Sequence, residues 1–97
     1  MKHIISNLNK AFENRVRLGI MSVLMVSEEV DFISLRETLD VTDGNLASHL
    51  RALEDAGYLL SEKRFLGRKP NTRYIITPEG ADSFRSHISA LEELLKK

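Results

Sequence analysis

The sequence of 97 residues contains no cysteine, no tryptophan and only two prolines. Without cysteine the chain forms no disulfide and has no thiolate ligand for a metal, and we expect a cytoplasmic protein. No apolar run approaches the roughly 20 residues that span a bilayer. The N-terminus also lacks the pattern of a signal peptide, because Ile4 and Ile5 are followed at once by polar residues.

Motifs that carry catalysis are missing as well. We find no glycine-rich phosphate loop, no nucleophile with a matching base and no metal-ligand spacing, and the three histidines lie far apart. A chain of this length forms one domain, with little room for an enclosed pocket. The sequence therefore predicts a single domain over residues 1–97 that is not an enzyme and uses no cofactor or metal.

The charges sum to zero, but they are unevenly distributed along the chain. The segment 63–73 contains no acidic residue and carries Lys63, Arg64, Arg68, Lys69 and Arg73. A local cationic patch is sufficient for phosphate binding, because only the contacting face must be positive. A solvated run of charge without a partner is the alternative interpretation of this segment.

Hydrophobic periodicity predicts a first helix from about Lys10 to Val26. This helix is apolar on two faces, which indicates that it lies at the centre of the domain or also contacts a partner subunit. Residues 30–33 are predicted to be a short extended link. Ser34 and Glu37 then form a capping box that begins a second, short helix ending near Leu39.

A third helix follows the turn at 40–41. Thr42 is its predicted cap and Gly57 its end. Its apolar stripe consists of Leu46, Leu50 and Leu53. With that stripe turned inward, the exposed face carries small or hydrogen-bonding side chains, namely Asp43, Gly44, Asn45, Ser48 and Arg51. His49 lies beside the stripe, so we expect a partly buried, hydrogen-bonded histidine and not a ligand.

Two β-rich segments, 58–65 and 72–76, flank a turn that contains Gly67 and Pro70. This pattern predicts a β-hairpin with a basic tip. Thr77 and Pro78 then begin a last helix. The predicted order is helix, helix, helix, hairpin, helix, which is a mainly α fold with a β-hairpin (α+β).

A helix pair followed by a basic hairpin is the arrangement of a winged helix-turn-helix, here with the helix pair at about 34–57, the wing at about 58–77 and a C-terminal helix at about 78–96. In such a domain the second helix of the pair lies in the major groove of DNA, and the wing reaches the backbone or the minor groove. Asparagine suits adenine, arginine suits guanine, and serine suits bases or phosphate. The exposed face of the third helix therefore has the side chains needed to read DNA.

The string VTDGNLASHLRALEDAGYL at 41–59, followed by GRKPNTRYIITPEG at 67–80, resembles the small winged-helix regulators of the MarR/ArsR superfamily. The resemblance extends over roughly residues 9–95. It implies a transcriptional regulator, more often a repressor, that binds double-stranded operator DNA as a homodimer. The DNA contacts that it implies are Asn45, Ser48 and Arg51 on the helix and Arg64, Arg68, Lys69 and Arg73 on the wing. Arg64 and Arg73 lie within strands, where opposing acids are an alternative partner.

The last helix has an apolar stripe at spacings of three and four that runs almost to its end. It could cover the domain's own core, but its length and its similarity to a coiled-coil seam favour a dimer interface. The residues predicted for this interface are Phe84, Ile88, Leu91 and Leu95, with Ile4, Ile5 and Leu8 as further candidates. Two other functions stay open: a winged helix that binds proteins without specific DNA binding, and a regulator with a small apolar effector between its subunits.

Overall fold

The computed structural model describes residues 1–96, which form α-helices, a 3₁₀ turn and a three-stranded antiparallel sheet. In chain order the elements are α1 (Lys2–Ile5), a 3₁₀ turn (Lys10–Phe12), α2 (Arg15–Ser27), β1 (Glu29–Asp31), α3 (Phe32–Leu39), α4 (Asp43–Asp55), β2 (Leu59–Leu66), β3 (Lys69–Ile76) and α5 (Pro78–Leu95). The predicted α+β fold, a helix-turn-helix with a β-hairpin and a long last helix, is confirmed.

The first predicted helix is divided in two by Asn14. Its side-chain oxygen accepts hydrogen bonds from the backbone N–H groups of Val16 at 2.9 Å and Arg17 at 3.1 Å. These are amides that have no partner within the first turn of a helix, so Asn14 starts α2 afresh. The short 3₁₀ turn before it is capped in the same way by Asn9. The apolar pattern predicted one continuous helix because the spacing of apolar residues contains no information about a polar cap such as Asn14.

The second helix begins earlier than its predicted capping box. Asp31 is the cap, since its carboxylate accepts from the N–H of Ser34 at 2.7 Å and the helix starts at Phe32. This backbone hydrogen bond is the main reason why the pKa of Asp31 is lowered. The capping box at Ser34 and Glu37 was therefore a wrong prediction. Residues 29–31 form an edge strand. The sequence predicted an extended link at 30–33, which is correct for Val30 and Asp31, whereas Phe32 and Ile33 already belong to α3.

The sheet has the strand order β1-β3-β2, with both neighbouring pairs antiparallel. The hairpin turn is tighter than the sequence predicted, because only Gly67 and Arg68 lie between the strands. Gly67 has a φ of 66°, a conformation that a two-residue hairpin turn requires and that glycine adopts without strain. Each strand of the hairpin is eight residues long.

The core is centred on α2, as its two apolar faces predicted. Ile20, Met21 and Leu24 of this helix are fully buried. The other buried members come from every later helix, from the 3₁₀ turn and from β2: Phe12, Leu35, Leu46, Leu50, Leu53, Leu59 and Phe84. Phe12 lies at one end of this core, with its ring 5.1 Å from that of Tyr58 and 5.2 Å from that of Phe84.

Asn9 fixes the N-terminal segment to two distant parts of the chain. Its backbone N–H donates to Nδ1 of His87 at 2.9 Å, and its side-chain amide donates to the hydroxyl of Tyr58 at 3.0 Å. His87 is buried in α5, and an N–H that points at Nδ1 requires that nitrogen to be unprotonated. Burial lowers the pKa of His87, and the charge of Glu13 opposes this shift in part.

This arrangement predicts a pH dependence of stability. The unfolded chain binds the proton of His87 at a higher pH than the folded chain, so the contribution of neutral His87 is complete above the ordinary histidine pKa of about 6.5. It is lost as the pH falls through the lower folded value. We expect the free energy of unfolding to decrease from about pH 7 to about pH 5, and His87→Gln to show a smaller decrease.

Chemical denaturation at each pH measures this dependence. His49 also has a lowered pKa and is retained in the variant, so the difference between the two curves reports His87 alone. Curves of equal slope would show that His87 does not titrate with folding.

Candidate nucleic-acid interface

The predicted exposed face of α4 is exposed in the structure. Thr42 caps the helix by accepting the N–H of Asn45 at 3.2 Å. The three leucines of the apolar stripe are buried, which turns the opposite side to solvent. The exposed positions include all five of the predicted face, namely Asp43, Gly44, Asn45, Ser48 and Arg51. Between Asp43 and Arg51 the helix therefore presents small or polar side chains, one carboxylate and one cation.

Asp43 places a negative charge at the start of this face, but it has a partner. Its carboxylate is 2.8 Å from Nη1 of Arg36 on α3. The hydrogen bond with Asp43 is the main cause of the raised pKa of Arg36. Because both side chains are partly exposed, the pair contributes little to stability. Its effect is to join the two helices across the turn and to offset the acid next to the exposed polar residues of α4.

His49 connects α4 to α2 and, through Arg17, to the 3₁₀ turn. Its Nδ1 lies 3.0 Å from Nη1 of Arg17, and the Nε of Arg17 donates to the carbonyl of Ala11 at 2.6 Å. Arginine only donates, so Nδ1 of His49 accepts and its proton sits on Nε2. Burial and then the charge of Arg17 lower the pKa of His49. A half-buried, hydrogen-bonded histidine was the expectation, and it is confirmed.

The two faces of the wing, defined as β2, the Gly67-Arg68 turn and β3, have different surroundings. Side chains alternate along each strand, and residues paired across strands share a face. The inner face carries Ser61, Lys63, Phe65, Pro70, Thr72 and Tyr74. The outer face carries Leu60, Glu62, Arg64, Leu66, Lys69, Asn71, Arg73 and Ile75. Only the inner face turns toward α4, because four of its residues line a cleft with that helix.

Two of the predicted wing contacts lie on the outer face and are bonded within the chain. Arg73 donates to Glu62 at 2.8 Å from Nε and to Glu29 at 2.6 Å from Nη1. The hydrogen bond with Glu62 is the main cause of its raised pKa. Arg64 donates to Asn71 across the hairpin at 3.0 Å. Opposing acids were the alternative interpretation for both residues, and the structure supports it for Arg73.

Lys63 lies where the prediction placed no contact. It is exposed on the inner face and lines, with Ser48 and Arg51 of α4, a cleft of about 330 Å³. Period-two alternation along β2 separates Lys63 from Arg64, so the signal that identifies it was present in the sequence. At the inner end of the same cleft Glu54 accepts from Ser61 at 2.9 Å. The cleft is therefore cationic at Lys63 and Arg51 and acidic at Glu54.

Arg68 and Lys69 lie at the tip of the wing, as predicted. Both are exposed, and within residues 1–96 neither side chain makes a hydrogen bond or a salt bridge. No part of either side chain is needed to hold the fold. The two charges are thus available to an anionic partner.

The predicted interface on α5 is divided between core and surface. Phe84 is only 5% exposed and belongs to the core, so it has almost no surface to offer a partner. Ile88 packs partly against the core, Leu91 is half-buried, and Leu95 is 87% exposed. The prediction that Phe84 belongs to the dimer interface is therefore corrected: Phe84 lies in the apolar stripe of α5 because it packs into the domain's own core.

The family of winged helix DNA-binding domains matches this chain over residues 16–95. The chain belongs to this family. The match runs from α2 to α5 and so includes both helices of the helix-turn-helix and the whole wing. The predicted resemblance to small winged-helix regulators is confirmed.

Similar proteins extend over nearly the whole chain. An uncharacterised protein of Methanocaldococcus jannaschii is 34% identical over 87 residues, which is 90% of this chain and 95% of that protein. The solved structure of a transcriptional regulator homologue from Pyrococcus horikoshii has 33% identity and a TM-score of 0.86, and the alignment covers 98% of this chain and 92% of that one. An ArsR-family transcriptional regulator shares the fold at 16% identity, with a TM-score of 0.64 and coverage of 100% and 95%.

Two further observations concern the part of the chain that the structure describes. None of its helices is both long and apolar enough to cross a membrane. Nowhere do three or more histidine, aspartate or glutamate side chains come together in an arrangement that could hold a metal ion.

Proposed function

We propose that this protein is a transcriptional regulator that binds specific double-stranded DNA as a homodimer, with α4 in the major groove and the wing on the backbone or minor groove. The observation that carries this proposal is the position of Ser48, Arg51 and Lys63 around one cleft between α4 and the wing. The tip of the same wing carries two cations that have no partner among residues 1–96. One concave side thus combines side chains suited to bases with side chains suited to phosphates. The resemblance to small regulators favours repression.

We assign the contacts by the partners that each side chain already has. Asn45, Ser48 and Arg51 are exposed on α4 and would read base edges. Arg68 and Lys69 would bind phosphates, and Lys63 joins them from the inner face of the wing. Arg64 and Arg73, bonded on the outer face, would act by stiffening the hairpin.

Dimerisation through α5 is part of the proposal. The end of this helix exposes Leu95, Leu91 is half-buried beside it, and α1 exposes Ile5 nearby in the fold, since α1 packs on α5. A two-fold dimer would place two copies of α4 on one side of the duplex. The expected operator then has two half-sites about 10 base pairs apart, one turn of DNA.

The test is selection from a pool of random duplex DNA at two salt concentrations, with the mass of the protein measured in solution. Enrichment of a two-fold symmetric sequence by a dimer, with affinity that falls steeply as salt rises, would support the proposal. If no sequence is enriched and binding is negligible even at low salt, the proposal is wrong. A winged helix that binds another protein would then be the leading alternative.

Asn45→Ala should reduce discrimination between sequences. A bidentate contact to a base contributes about 1–3 kcal/mol of discrimination, so the enriched site should lose that margin while binding to unrelated duplex is unchanged. The fold should tolerate the change, because Thr42 caps the backbone N–H and not the side chain of Asn45. Ser27→Ala, at an exposed position at the end of α2 and outside α4, the wing and α5, is the control. An equal loss on all sequences would count against base reading by Asn45.

A further inference from the structure

The wing ends in two exposed apolar side chains. Phe65 is 72% exposed and Leu66 is 54% exposed, next to the hairpin turn. The described residues give neither of them a place in the core. A phenyl ring this exposed near the tip of a hairpin is a candidate for contact with another molecule.

Phe65 and Leu66 point to opposite sides of the wing. Phe65 is paired with Pro70 and lies on the inner face, one alternation beyond Lys63. It therefore extends the side of the wing that faces α4 and its exposed polar residues. Leu66 is paired with Lys69 and lies on the outer face. The two side chains differ in direction while sharing chemistry and position along the hairpin, which makes one a control for the other.

The charges around Phe65 identify the kind of partner. From Lys63 to Thr72 the chain has no acid. Of the four cations in this segment, Lys63 lies on the same face as Phe65 and Arg68 lies in the adjoining turn, whereas Arg64 and Lys69 lie on the outer face. The complement of such a surface is a polyanion with apolar faces between its charges. Duplex DNA has this form, since the minor groove exposes sugars and base edges between two rows of phosphates, and a base step that is unstacked there also exposes base faces.

We propose that Phe65 inserts into the minor groove beside the half-site and partly unstacks one base step, while Lys63 and the turn cations bind the flanking phosphates. This deepens the proposed function and rests on it. Pyrimidine–purine steps unstack most easily, so the protein should prefer such a step at the position that the wing reaches. Phe65 then determines specificity at base pairs that no polar side chain contacts.

The experiment uses the duplex enriched from the random pool, with 2-aminopurine placed in turn at each position that flanks the half-site. Unstacking of a base raises the fluorescence of this analogue. We expect the wild type to raise it at one step and Phe65→Ala to abolish the rise, with an affinity loss of about tenfold, as for other base–aromatic contacts. The salt dependence of Phe65→Ala should match the wild type, because no phosphate contact is removed.

Leu66→Ala is the matched control and should leave the fluorescence and the affinity unchanged. A fluorescence rise that persists in Phe65→Ala, or that is lost equally in Leu66→Ala, would overturn the proposed insertion of Phe65 between bases, here called the wedge. So would a change in the mass of the Phe65→Ala protein without a change in DNA distortion, since Phe65 would then contact a second copy. Specific binding without any distortion overturns the wedge alone, whereas no binding of any duplex overturns it together with the proposed function.

Discussion

Gly80→Ala should lower the free energy of unfolding by about 3 kcal/mol or more, the largest effect expected of any single methyl group in this chain. Gly80 is buried in the first turn of α5, against the start of β2. A Cβ on it would lie 2.0 Å from the carbonyl oxygen of Tyr58 and 2.8 Å from the carbonyl carbon. Atoms of the backbone cannot turn aside as a flexible side chain does, so the helix and the strand would have to separate.

The surrounding hydrogen bonds make that separation costly. The same carbonyl of Tyr58 accepts the N–H of Thr77 at 3.1 Å. The hydroxyl of Thr77 accepts the N–H of Gly80 at 2.9 Å and donates to the carbonyl of Gly57 at 2.7 Å. A shift of α5 away from β2 strains these bonds together, which is why we expect a loss greater than that of an ordinary overpacked site.

Gly44→Ala is the matched control for this prediction. Gly44 also lies in the first turn of a helix, but a Cβ there would meet nothing within 4 Å. The higher helix propensity of alanine at this position should raise the free energy of unfolding by about 0.5–1 kcal/mol. Chemical denaturation measures both variants. A Gly80→Ala protein as stable as the wild type would show that α5 and β2 do not pack this closely in solution.

The double variant Arg68→Ala/Lys69→Ala should weaken binding to every duplex, whatever its sequence. Each phosphate contact releases counterions and contributes about 0.9 to the slope of log affinity against log salt. Loss of two contacts per subunit should therefore flatten the slope by up to about two units per wing and lower the affinity about tenfold or more at low salt. Stability should not change, because both side chains are exposed and no bond of the described chain depends on them.

Titrations of one duplex at several salt concentrations measure this effect. Lys10→Ala/Arg15→Ala removes the same charge from exposed positions outside the wing, α4 and α5, and it should leave the slope close to that of the wild type. An equal reduction in both double variants would mean that net charge, and not the wing tip, governs the interaction. A loss confined to the enriched sequence would instead make the tip a reader of bases.

Local signals were sufficient to predict the elements that carry the proposed interface. Thr42, Gly57 and Thr77 were identified as helix caps or ends because each needs only the residues within one turn of it, and the structure places all three as predicted. The start of α3 was predicted wrongly because it depends on a contact with a distant strand and not on local signals alone. Asp31 competes with Ser34 for the capping role, and the pairing of β1 with β3 leaves Asp31 extended and in position to cap.

Contacts between distant residues were not predictable from the sequence. The ion pair between Arg73 and Glu29 joins residues 44 positions apart, and it depends on β1, which was not predicted as a strand. For a similar reason the sequence could not show which residues of the apolar stripe of α5 belong to the core and which to the surface. Phe84 and Leu95 are both large apolar residues of the same stripe. Phe84 is a core residue because Phe12 packs against it, whereas Leu95 is on the surface.

The arrangement of charge on the wing has a consequence for how a first encounter with DNA is oriented. On the outer side of the sheet three carboxylates face three cations: Glu29, Asp31 and Glu62, with Arg64, Lys69 and Arg73. On the inner side the strands of the hairpin carry Lys63 and no acid. A duplex that arrives from outside meets balanced charge, whereas one that arrives from the α4 side meets a cleft in which Lys63 and Arg51 outnumber Glu54 and is attracted. Encounters that begin in the wrong orientation should therefore be short-lived, even though the protein as a whole has no net charge.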